Sequence, residues 1–198
     1  MTAAASTSAR AHRDHPAALA ERRRLGMWLF LAALGMLFAG SLVGFLVIRL
    51  RAPEWPPPGS PGLPPEFWVS TGILAVLSAL LVAAERGLRA GRGGYAGRLL
   101  AAAAALGAAF VLSQTAGWAH LVGQAQLPQN NLFLFGVYVL TFLHVLHVVG
   151  GLVPLVWVAL RARAGRYSAD EHSGVSVVAM YWHFLGVVWI GILAVLAL

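Results

Sequence analysis

The chain has 198 residues, of which 59% are hydrophobic and 11% charged. That charged fraction is about half of what a soluble domain carries, so a water-soluble globular class is excluded in favour of a polytopic membrane protein. The net charge of +7 comes from 14 arginines and no lysine. They lie between apolar runs as topology signals and partners of lipid head groups, which argues against nucleic acid as a partner. With no cysteine there is no disulfide, thiolate metal site or iron–sulfur cluster.

Residues 1–24 are polar and rich in alanine and arginine, and read as a disordered arm ending in the basic anchor Arg22-Arg23-Arg24. The arginine pair before an apolar run is not an export signal, because the run is too long and four more follow. The membrane domain, 25–198, then contains five predicted spans, at about 25–48, 67–84, 99–127, 132–160 and 174–198. The second is short, and the others are long enough to cross ~30 Å of hydrocarbon at 1.5 Å per residue.

The first span is uncharged, with Trp28 placed for the interface and a Gly40–Gly44 GxxxG that permits close helix approach. Residues 49–66 hold seven of the ten prolines, which predicts a stiff, extended connector, with docking of a partner chain as the lesser reading. The second span carries Thr71 and Ser78 on one face. The third is built of small residues in its first half and carries Gln114, His120 and Gln124 in its second. Pro128 ends it, and Gln129, Asn130 and Asn131 predict a tight turn. The fourth contains His144 and His147, three apart and so on one helix face, with Pro154 near its end as a candidate kink. The fifth contains His183 within YWHFLGVVW.

Twelve arginines fall on the side of the arm and of the second–third and fourth–fifth connections, against two on the other side. The positive-inside rule therefore predicts the amino end in the cytoplasm and the carboxyl end outside, in the periplasm for a bacterium.

Histidines within a membrane are functional candidates by default. His147 and His183 lie 13 and 9 residues from the inner ends of their spans, roughly 20 and 14 Å at 1.5 Å per residue. The pair is therefore a candidate for holding a b-type haem, as in a membrane electron carrier. A copper site of His144, His147 and His183 is compatible with the spacing. The competing reading makes these histidines hydrogen-bonding ties between helices. A proton relay is disfavoured, since none of the seven acidic residues falls within a span.

YWHFLGVVW at 181–189 resembles the YWHFVDVVW pattern in the last helix of subunit III of the haem–copper respiratory oxidases. Thr141, His144, Leu146, His147 and Val148 match that family's TGFHGLHV, with Phe142 and Val145 where glycines are usual. LGMWLFLAALGMLFAG is similar to the family's opening LGMWLFIASEVMLFAG, Gln114 and Trp118 fit its QxxEW pattern, and His172, eleven residues before His183, also fits. The likeness covers about residues 22–198, and five spans match the short bacterial form.

The resemblance implies an all-α, five-helix accessory subunit of a terminal oxidase, cytochrome c or quinol type, in the bacterial cytoplasmic membrane. Such a subunit holds no redox centre of its own. It stabilises a catalytic subunit I that carries haem and copper, and it binds phospholipid. His144, His147, His183, Trp182, Gln114, Trp118, Trp189 and His172 are then motif and packing positions. The four membrane acids usual in the family are replaced by Leu34, Gly117, Ser176 and Gly186. That loss leaves open a related subunit of a nitric oxide reductase or another divergent respiratory complex.

Overall fold

A computed structural model describes the backbone of residues 2–123, 131–168 and 172–198, and the side chains of those from Glu21 onward. It is all-helical: α1 (Thr2–Arg51), α2 (Pro65–Arg89), α3 (Gly93–Gly123), α4 (Leu132–Arg163) and α5 (Ser173–Ala197). Each has a segment long and apolar enough to span a membrane, that of α1 being Glu21–Arg51.

The helices follow the predicted spans with two differences. α1 begins at Thr2, within the arm where an unstructured segment is expected. Alanine is the best helix former, and a helix already nucleated by the span adds further residues cheaply. Such an alanine-rich stretch can therefore continue the turn. At the other ends, the helices run past the apolar windows into their flanking arginines, as α2 does to Arg89 and α4 to Arg163. The predicted end of the third span at 127, with Gln124 and the Gln129–Asn130 turn, lies outside the described residues. Asn131 is described, and it caps α4: its Oδ1 accepts from the backbone N–H of Phe133 (2.9 Å) and Leu134 (3.3 Å).

α2 and α3 form an antiparallel hairpin packed along its length, and α4 packs on the far side of α3. α5 lies across this row, against α4 and α2. α1 rests on α5 and more lightly on α4, and its backbone does not approach α2 or α3. Only 22% of its most apolar window is buried, against 50% for α4 and α5, so α1 is the peripheral helix.

Close approach is set by small residues. Gly107 on α3 lies so near α4 and α5 that an added Cβ would come within 2.7 Å of Leu152 and 2.9 Å of Trp182. The proline-rich connector is pinned as well as stiff. Trp55 lies edge-on between Phe45 of α1 and Phe133 of α4, and Asn131 donates from Nδ2 to Ser60 Oγ at 2.7 Å.

Candidate functional site

The polar residues predicted inside the spans come together along the helix interfaces, but the bonds are divided differently from expectation. His183 ties α5 to α2, its Nδ1 lying 2.6 Å from Ser78 Oγ. His147 instead bonds within its own helix, Nδ1 to the Leu143 carbonyl at 2.7 Å, and meets α1 through the Phe38 ring at 5.1 Å. His144 is fully buried, and neither ring nitrogen has a hydrogen-bond partner among the described residues. It is enclosed by rings from three other helices: Phe38 at 6.1 Å, Phe110 at 5.6 Å and Trp189 at 5.3 Å. The expectation of an interhelical hydrogen bond thus fits His183 and fails for His144 and His147. A neutral imidazole in an aromatic cage gains weak ring contacts in place of a proper acceptor.

Four of the interhelical bonds are donated by tryptophan or tyrosine. Trp118 Nε1 donates to Thr141 Oγ1 across α3–α4 (3.0 Å). Trp189 Nε1 donates to Thr71 Oγ1 across α5–α2 (3.0 Å). Trp182 Nε1 donates to the Gly151 carbonyl (3.3 Å), and Tyr181 donates to the His147 carbonyl (2.8 Å), both across α5–α4. A buried indole N–H needs an acceptor, so each motif tryptophan was legible as a donor from its residue type. Gln114 is buried and donates from Nε2 to Ser70 Oγ at 2.7 Å, closing α2 on α3. At the far end of that hairpin His120 meets Glu66 at 3.3 Å. His172 stands at the N-cap of α5 without capping it through its side chain.

The four positions where acids are usual fall in four different surroundings. Leu34 is part of the core. Gly117 is pressed against Phe67, with 2.8 Å for an added Cβ, so no longer side chain fits without repacking. Gly186 has open space beside it, and Ser176 lines a cleft near the start of α5.

Among the described residues no group of three or more His, Cys, Asp or Glu is placed to hold a metal ion, which removes the three-histidine copper reading. The His147–His183 haem pairing also lacks a geometry. His183 faces Ser78 of α2, while His147 faces Phe38 of α1, on different flanks of α5.

A groove runs between α1, α4 and α5 near these ties. At the arginine-rich face a cavity of about 500 Å³ has Arg23, Arg161, Arg166, Tyr167 and Ser173 among its described lining residues. Arg161 stacks on Trp157 with its guanidinium carbon 4.5 Å from the ring centre. Burial pushes the Tyr167 phenol up, against the pull of Arg161 and Arg23, so it remains a neutral hydroxyl. A second cavity of about 400 Å³ shares Pro154, Val177 and Val178 with the first and continues past Phe30 and Tyr181 to His147. A cationic cup opening into an apolar slot has the polarity profile of an anionic amphiphile.

The model of the family "Cytochrome c oxidase subunit III" matches residues 4–197. Cytochrome c oxidase subunit 3 of Synechocystis sp. is 35% identical over 184 residues, covering 92% of this chain and 76% of the relative. That of Thermostichus vulcanus is 30% identical, covering 89% and 87%. Subunit 3 of the cytochrome bo(3) ubiquinol oxidase of Pseudomonas aeruginosa is 28% identical, covering 87% and 83%. With its motif residues seated at the helix contacts and the match spanning nearly its whole length, the chain belongs to the cytochrome c oxidase subunit III family.

Proposed function

We propose that the chain is the non-catalytic subunit III of a bacterial haem–copper terminal oxidase. It docks on and stabilises the catalytic subunit I, where the haems and copper reside, and binds phospholipid. The observation that carries this reading is the use made of its intramembrane polar groups. His183, Trp118, Trp182, Trp189, Tyr181 and Gln114 are engaged in tying helices together, and His144 is sealed among rings. Groups so engaged are suited to a scaffold rather than to electron transfer. The lipid part rests on the groove of Arg23, Arg161 and Arg166 with its apolar continuation, which matches an anionic head group and acyl chain.

The membrane is the bacterial cytoplasmic membrane and the arginine-rich face the cytoplasmic one, by the positive-inside rule. The oxidase names of the relatives favour this reading over a nitric oxide reductase subunit or a free haem carrier. Purification through a tag on this chain tests it. An oxygen-reducing haem–copper subunit should co-purify, and the isolated chain should show no Soret band. A Soret band with b-type lines in the isolated chain would sink the scaffold reading, and co-purification with a nitric oxide reductase would move the chain to that complex.

A further inference from the structure

α4 carries a proline inside it, Pro154. Proline has no N–H, so the carbonyl one turn earlier, that of Gly150, loses its donor within the helix. His147 stands three residues before Gly150 and so on the same face. Its Nδ1 lies 2.7 Å from the Leu143 carbonyl. A carbonyl only accepts, so Nδ1 carries the proton, and in the neutral imidazole the distal Nε2 is left as an acceptor. Nε2 meets no hydrogen-bond partner among the described residues.

Both residues line the apolar slot between α1, α4 and α5, about 400 Å³ in volume and within the ~300–1,000 Å³ range of small-molecule sites. Gly150 has nothing within 4 Å of where a Cβ would stand, so the slot reaches the α4 backbone there. Phe30 and Tyr181 form an aromatic wall, with ring centres 6.1 Å apart and planes at 29°. The side-chain donors that line the slot are both committed. Nδ1 of His147 goes to Leu143, and the Tyr181 hydroxyl donates to the His147 carbonyl at 2.8 Å. The other described lining side chains are Met, Phe, Leu, Val and Pro, which have no polar hydrogen. The slot thus offers two open acceptors and no open side-chain donor.

That polarity selects among apolar ligands. An acyl chain uses neither acceptor, and a phospholipid ester brings only acceptors of its own. Depth selects further. His147 is roughly 20 Å from the arginine-rich end of its span at 1.5 Å per residue, where a charged head group is costly. A floor of glycine and a wall of rings suit a flat, neutral ring bearing hydroxyls. Phe30 and Leu146, both more than half exposed, border the opening through which a tail leaves toward lipid.

We infer that the slot binds an isoprenoid quinol in its reduced form, one hydroxyl donating to His147 Nε2 and the other to the Gly150 carbonyl. Binding alone is assigned to this chain; no electron transfer is part of it. The inference goes beyond the phospholipid reading of the same groove. The arginine cup can hold a head group in either case, while the deep end takes the quinol in place of an acyl chain.

The test uses the purified intact complex, reduced with dithionite and kept anaerobic. The probe is a benzoquinol with two isoprene units, and its redox-inert di-O-methyl ether, of the same shape without donors, is the comparison. Bound probe and phospholipid are counted by native mass spectrometry. Wild type should retain the quinol about tenfold or more over the ether, the effect of losing one or two hydrogen bonds. Gly150→Leu, which fills open space, and His147→Phe, which removes an acceptor, should each lower quinol retention by a similar factor. Arg161→Gln should leave quinol retention unchanged and lower that of anionic phospholipid. Equal retention of quinol and ether by wild type would overturn the proposal, as would quinol retention unchanged in both slot variants. Slot variants that lose phospholipid and keep quinol would return the whole slot to an acyl chain. Wild type that retains quinol but no phospholipid would sink the phospholipid reading and leave this one standing.

Discussion

His144 is the residue whose environment departs furthest from its chemistry. Leaving a buried polar group unpaired costs about 1–3 kcal/mol, and replacing it by an apolar group of similar shape removes that cost. His144→Phe should therefore leave the Tm of the purified bundle unchanged or raise it. A marked fall would show that the imidazole has a partner contributed by the assembled complex or by water. His183 is the contrasting case. His183→Leu leaves Ser78 unpartnered at the α2–α5 contact, so recovery of the complex should fall by an amount that reflects one interhelical bond of ~0.6–2 kcal/mol. Turnover per assembled complex should stay constant; a loss of turnover in intact complex would place His183 on a proton or ligand path. At this scale the sequence located polar residues within the spans and misjudged how their bonds are shared. Spacing places His144 and His147 on one face, but whether an imidazole finds an acceptor depends on which neighbour crosses there. The indole donors depended less on that, since any buried Trp must find an oxygen.

Among the elements, α3 depends most on absent side chains. Gly107→Val must push against Leu152 and Trp182, and overpacking of this kind costs about 1–3 kcal/mol. Gly150→Ala, on α4 with nothing within 4 Å of the added methyl, should be neutral or stabilising by up to about 1 kcal/mol. Parallel thermal melts of the two variants would check the pair, and a Gly107 variant as stable as the Gly150 one would contradict the packing. The spans themselves were legible, because twenty apolar residues bounded by arginines leave little choice of structure. Less legible were the helix ends and the connector. The loop reads as a free spacer by composition, yet Trp55 and Ser60 anchor it on α4, contacts that require knowing which helix lies next to α1.

For the whole molecule, order of neighbours was the part that sequence could not supply. The arginine distribution predicts which ends share a face, but not that α5 sits among α1, α2 and α4 while α1 stays at the edge. Clefts open beside that edge helix, one bordered by Arg23 and one by Glu21 and Arg24, and the proposed function has lipid in the first of them. Extensive delipidation of the purified complex should therefore lower its Tm. Re-addition of an anionic phospholipid should restore it. An unchanged Tm after delipidation would argue against lipid as part of the fold's support.

The seating of α1 also sets a timetable for biogenesis. Its anchors are far along the chain: Arg23 reaches Ser173, Phe30 stacks on Tyr181, and Arg49 reaches the Leu198 carbonyl. At translation rates of 5–20 residues per second, the roughly 150 residues between them take about ten to thirty seconds to make. For that interval α1 is in the bilayer without its main partner, while α2, α3 and α4 can already assemble in order of synthesis. α1 thus leaves the ribosome ahead of α2–α5 yet waits for α5 to dock, and a nascent chain arrested before α5 should expose α1 to crosslinking by insertion machinery or quality-control proteases.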